Sequence, residues 1–158
     1  MHANWVNCSI AGSPGTNCTG LPEMGDAIVQ IVPGTQRLKD DVFGAAFLGR
    51  DGIGQYTDVY YDRLEELRHD WGVPPDLVLA HVMAHEIGHV LLGLNSHSSM
   101  EIMRGYWQAE EVSALERGRL LFSSQQSRAM RERLQAISAR TMASAAESSG
   151  IAGRPDTR

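Results

Sequence analysis

Two histidines four residues apart, His85 and His89, with Glu86 beside the first, constrain this chain more than any other feature. Four residues is just over one helical turn, so both imidazoles project from one face of a helix, one above the other. The flanking residues predict that helix. Pro74, Pro75 and Asp76 suit its first turn, where a missing N–H costs nothing and a carboxylate favours the dipole. Gly93 predicts its end, after Leu92, in a left-handed cap. Met83, Ile87, Val90 and Leu94 fall opposite the histidines and are expected to pack on the core. Gly88, in mid-helix, costs about 1 kcal/mol relative to Ala, which implies a close neighbour or a cost simply carried.

Two imidazoles so spaced can share one metal ion, about 2.0–2.1 Å from each nitrogen for zinc. Glu86 lies about 100° round the helix from His85, too far to be a direct ligand but within reach of a water on that ion. This is the arrangement of a metallopeptidase general base. A catalytic zinc site takes three protein ligands and keeps one position open. His97, just past the helix-ending Gly93, is the expected third ligand; Glu110 or Glu111 is its rival. His81, one turn before His85, is expected to line the cleft or to bond a neighbouring carboxylate. His69 reads as a favourable charge near a helix C-terminus. The plainer alternative for the whole group is satisfied or surface histidines with no metal.

Elsewhere the chain punctuates itself with Gly and Pro. The first 24 residues are turn-rich and read as irregular. Cys8 and Cys18 lie in that segment; a local disulfide is expected, with free thiols or a thiolate cap on the metal as alternatives. Ala27 to Val32, closed by Pro33-Gly34, reads as a buried strand. Val42 to Leu48 reads as a second, turning at Gly49-Arg50-Asp51-Gly52 into a third over Gln55–Tyr61, antiparallel to it. Helical spacing follows from Asp62 to Trp71, with Leu64, Leu67 and Trp71 on one face and Gly72 as the stop. Beyond the Asn95–Gly105 loop, helices are expected over Ala109–Phe122 and, from a Ser123/Gln126 capping box, to about Arg140.

The net charge of −5, from 14 basic and 19 acidic residues in 158, comes without any basic block. That argues against an electrostatic nucleic-acid footprint. No apolar run approaches the roughly 20 residues of a membrane span. Met1 to Asn4 lack the basic start and apolar stretch of an export signal. With a disulfide expected, a secreted or periplasmic monomer whose signal has been removed is the anticipated setting.

HEIGHVLLGLNSH, followed by Glu101-Ile102-Met103, resembles the metzincin clan of zinc peptidases, whose motif HExxHxxGxxH precedes a methionine-bearing turn under the metal. Gly93 stands one residue later than the clan pattern and His97 two later, so the connecting loop is longer. The resemblance implies His85, His89 and His97 as ligands, Glu86 as base and acid, Gly93 as the helix breaker and Met103 as the turn methionine. Tyr106 lies close to where some metzincins carry a tyrosine; an ordinary aromatic beside Trp107 is the plainer reading. The stretch is also similar to small bacterial zincin-like proteins that share HEIGHxLLGxxSHS and the later Ile-Met pair. That likeness runs back through VFGAAFLG and YYDRL and covers residues 27–122. It brings no known substrate.

The fold implied is α+β. A single zincin-like domain over residues 27–140 has a short mixed sheet packed on the active-site helix and C-terminal helices after it. An irregular segment, 1–26, precedes it, and an Ala/Ser/Gly-rich tail, 141–158, expected to be disordered, follows it. In that layout the Tyr56–Tyr61 strand forms the cleft's upper rim, and its free edge aligns an extended substrate. Asp58 on that strand either tunes specificity or simply faces solvent. The expected activity is zinc-dependent hydrolysis of peptide or protein substrates in a shallow cleft of low selectivity. A zinc hydrolase of non-peptide bonds and a non-catalytic zinc-binding module are the alternatives.

Overall fold

The second β-strand of the chain and its third are joined by a tight turn, and the helix that carries His85 and His89 packs on this hairpin. In a computed structural model that describes residues 26–34 and 42–150, the elements run β1 (Ile28–Val32), β2 (Gly44–Phe47), β3 (Tyr56–Tyr60), α1 (Tyr61–Trp71), α2 (Pro75–Leu92), α3 (Ala109–Glu116) and α4 (Ser124–Gly150). The protein is α+β, with a three-stranded mixed sheet and four helices among the described residues. The opening segment with Cys8 and Cys18, and the end of the chain from residue 151, lie outside those residues. No helix of the described residues is long and apolar enough to cross a membrane.

The hairpin turn forms where Gly49-Arg50-Asp51-Gly52 predicts it. The Asp51 side chain accepts from the Ile53 N–H at 3.1 Å, and Gly52 takes φ 73°. An Asx turn of this kind joins neighbouring antiparallel strands, and β2 pairs antiparallel with β3, Gly44 opposite Val59 and Phe47 opposite Tyr56. On its other side β3 pairs in parallel with β1. The strand order is therefore β1-β3-β2.

Two expectations are corrected by that order. β3 has no free edge, because both of its ladders are filled; among the described residues the free edges belong to β1 and β2. β1 is an edge strand rather than a buried one, with Gln30 exposed and Ile31 half exposed. Its β-branched residues specify a strand, but propensity is silent on how many neighbours that strand will have.

α1 ends as predicted at Gly72, in the left-handed region at φ 69°, ψ 13°. Leu64 is fully buried and Leu67 packs on the core, but Trp71, the last residue of the helix, is half exposed. α2 begins with Pro75 in its first turn and ends at Gly93, whose N–H donates to the His89 carbonyl at 2.8 Å. Gly93 takes φ 87° but ψ −161°, so it leaves the helix in an extended sense rather than as a left-handed cap. The left-handed step falls two residues later, at Asn95, φ 57°.

The expected division of α2 into a metal face and a core face does not hold. Val78 and Val82, within about 60° of the His85 direction by the helical period, are almost wholly buried, whereas Leu94 is half exposed. α2 packs against β2, β3, α1, α3 and α4, so it is enclosed on several sides and its histidines open from within the core.

α3 stops at Glu116, short of the expected Phe122, because Gly118 turns the chain at φ 63°. The extended residues that follow tie back: the Leu121 carbonyl accepts from the Ile102 N–H at 3.2 Å, and Leu120 is buried. α4 opens with the predicted capping box, Ser123 N–H to Gln126 at 2.8 Å and Gln126 N–H to Ser123 at 3.1 Å. It continues to Gly150 rather than ending near Arg140, so residues 141–150 are helix instead of the disordered tail that composition predicts. Their Ala content carries high helix propensity, which needs no packing partner.

Candidate metal centre

α2 delivers His85 and His89 as the four-residue spacing requires. Their Nε2 atoms are 3.0 Å apart, and the rings meet edge to face with centroids 4.8 Å apart. Gly93 frees the chain from the helix and Asn95 turns it, which brings His97 back over the site. Its ring centroid is 4.6 Å from that of His89 and 5.5 Å from that of His85. One nitrogen from each ring lies within 4.8 Å of the other two. Two nitrogens bound to one tetrahedral zinc would stand about 3.3 Å apart at ordinary bond lengths, so the His85–His89 pair already has nearly that separation. These three residues could hold a metal ion, and they are the group among the described residues that could.

The rival ligands do not join the cluster. Glu111 is buried, accepts two bonds from Arg104 at 2.8 and 2.9 Å, and caps the Gln108 N–H at 2.9 Å. Glu110 is exposed in the first turn of α3. His81 bonds the Leu77 carbonyl at 2.8 Å, not a carboxylate. His69 sits in the last turn of α1, paired with Asp70.

The partners on the far side of each ring decide which nitrogen faces the cluster. His85 Nδ1 lies 2.6 Å from the Ile102 carbonyl. A carbonyl can only accept, so Nδ1 carries the proton and Nε2 presents its lone pair to the cluster. His89 Nδ1 is 2.7 Å from the Ser96 hydroxyl. His97 lies against Gly105, where an added Cβ would come within 3.0 Å of Nδ1. Burial, above all, holds His85 below the ordinary histidine range; burial and then the His85 and His97 charges push His89 down to about 4. Both rings are therefore neutral at pH 7, the form that binds metals.

The turn supplying the Ile102 carbonyl is closed on itself. Ser98 N–H donates to Met103 O at 2.8 Å and Arg104 N–H to Glu101 O at 3.1 Å. Met103 is fully buried, and Gly88 is its counterpart: a Cβ there would stand 2.5 Å from the Met103 sulfur and 2.9 Å from Phe122. The mid-helix glycine thus has the close neighbour that its cost implies.

Above the histidines lies a cleft of about 310 Å³. Residues of β2 and of the stretch before it line it together with His85, Glu86, His89, His97, Arg104, Gly105 and Trp107. Glu86 is 4% exposed, and its burial pushes the carboxyl up to about 8. A cation in the histidine cluster would favour the ionised form. Space for Glu86 comes from Gly44, where a Cβ would fall 2.7 Å from its carboxylate oxygen and from the Asp58 carbonyl. Asp58 is itself part-buried, which raises its carboxyl, but it does not line the cleft. Tyr106 is half exposed and also lies off the cleft.

Gly44, Ser96 and Arg104 belong to the site and do not follow from the sequence reading. Gly44 had a signal: a glycine inside a strand marks a close approach by something else. Arg104 had a weaker one, a cation in the loop shortly before two glutamates. Ser96 had none that distinguishes it from any loop serine.

No known protein family, curated protein or solved structure matches the chain.

Proposed function

We propose that the protein is a zinc-dependent metallopeptidase of the metzincin-like kind, with His85, His89 and His97 holding the ion and Glu86 as general base and acid. The observation that carries this reading is the convergence of three imidazole nitrogens within 4.8 Å, beside a buried carboxylate in the same cleft. When bound, zinc supplies Lewis acidity, polarising a carbonyl and making water a stronger acid. Glu86 takes the proton from the attacking water and returns it to the leaving amine nitrogen. Ile102 and Ser96 hold the two helix imidazoles in orientation. An extended substrate would lie along the free edge of β2, which borders the cleft, and add to it as a further strand. Three protein ligands among the described residues favour a catalytic over a closed structural site.

The test combines zinc analysis with cleavage of a mixed peptide library. Glu86→Ala is expected to retain zinc and lose cleavage; His97→Ala is expected to lose zinc affinity. Cleavage surviving in Glu86→Ala, or full zinc affinity in His97→Ala, would refute the assignment of that residue.

A further inference from the structure

Among the described residues, Arg104 is the one side chain lining the cleft that is positively charged at every physiological pH. It is also unusually well braced. Its Nη1 donates to both oxygens of Glu111 at 2.8 and 2.9 Å, and its Nη2 to Gln108 Oε1 at 2.9 Å. Both partners sit at the start of α3, where Glu111 in turn fixes the Gln108 N–H. The Glu111 side chain is 6% exposed while that of Arg104 is 26% exposed, so the pair is anchored at its carboxylate and the Arg104 side chain stays partly accessible. Five N–H groups are available on a guanidinium; these bonds leave Nε–H and the second Nη2–H over. The adjacent residue, Gly105, lies against the His97 ring, and Arg104, Gly105 and His97 line the same cleft.

We propose that Arg104 is a carboxylate-binding subsite, so that the cleft selects peptides presenting a free carboxylate to it, either the chain terminus or an acidic side chain. The inference rests on the peptidase reading and narrows its substrate class. A planar, pre-positioned guanidinium pairs with a carboxylate through two parallel bonds, a geometry that a neutral amide cannot reproduce. Glu111 acts as a positioning residue: it holds the fork and reduces the entropy lost when the substrate is captured. A purely structural Arg104, clipping the loop to α3, would affect stability and zinc affinity but would not discriminate between an acid and its amide.

The experiment titrates acetyl-Gly-Gly-Phe with a free carboxylate, its C-terminal amide, and amidated acetyl-Gly-Asp-Phe into the full zinc-loaded chain bearing Glu86→Gln, which prevents turnover. Isothermal titration calorimetry reports binding, and zinc content is measured on each sample. The free acid or the Asp peptide is expected to bind at least about tenfold more tightly than the neutral amide, and which of them does so identifies the source of the carboxylate. Adding Arg104→Ala should abolish the preference, Arg104→Lys should retain part of it, and Glu111→Gln should weaken it with the charge still present. Should Arg104→Ala lose zinc or fold, the Lys and Gln variants carry the same comparison. Equal binding of all three probes, no binding by any, or a preference that survives Arg104→Ala would overturn the subsite. Retained zinc in those samples would leave the metal centre standing.

Discussion

The turn from Asn95 to Gly105 and the outer half of α4 are held in opposite ways. The turn has almost no regular structure, yet it is tied from several directions: Ile102 O accepts from His85 and from Trp107 Nε1, Ser96 meets His89, and Arg104 is clipped to α3. α4 is regular throughout, yet from Ser138 to Ala146 every residue is exposed. The irregular segment is therefore the more constrained one, whereas the helix keeps its regular form from Ser138 to Ala146 with those residues exposed. Secondary structure measures local order; bonds and burial between distant residues decide what can be held still enough to orient a metal ligand.

Substitutions should separate the two regions sharply. The largest effect is expected for Met103→Ala, which empties a wholly buried site beneath Gly88 and should cost about 2–5 kcal/mol. Denaturant unfolding measures that loss, and a change below about 1 kcal/mol would mean the turn is not packed as described. Next is Ser96→Ala. Loss of a bond that orients a metal-binding imidazole should weaken zinc affinity about 10–100-fold, read by competition with a chromophoric chelator; unchanged affinity would remove Ser96 from the site.

Gly88→Ala pits two terms against each other. Helix propensity gains about 1 kcal/mol, but the new methyl meets Met103 and Phe122 at 2.5 and 2.9 Å, and overpacking of this kind costs about 1–3 kcal/mol. A net loss is expected in the melting temperature, and a net gain would show that Met103 yields easily. The smallest effect belongs to α4. Ending the chain after Arg140 removes residues that are exposed from Thr141 to Ala146 and should change stability and zinc affinity by no more than about 0.5 kcal/mol. A larger loss would reveal a contact that the outer helix makes.

The parts of the site legible in the sequence are those set by local geometry. His85, Glu86 and His89 follow from the 3.6-residue period alone, and Gly93 announces the break that lets His97 return. The length of that return, and the choice of His97 over Glu111, depend on bonds that Glu111 makes to Arg104 and Gln108, which no local pattern encodes. Strand existence is equally legible. Strand order is not, because the register of a β-ladder depends on which faces are buried once the helices dock; the layout implied by the metzincin resemblance points to β3 as the cleft rim, whereas residues of β2 line the cleft. The burial of Val78 and Val82 alongside the histidines escapes the sequence for a related reason. An amphipathic reading assumes one solvent face, and α2 has packing partners on most of its circumference. Composition misleads over the distal part of α4, since few apolar residues rule out packing but not helix formation.

The central claim is that one zinc ion is held jointly by His85, His89 and His97. Crystals of the zinc-soaked protein, with diffraction recorded on either side of the zinc absorption edge, address it directly. A single anomalous peak per chain, about 2.0–2.1 Å from one nitrogen of each of the three rings, is the expected result. A peak bound by other residues, or none at full zinc concentration with the three rings unchanged, would contradict it.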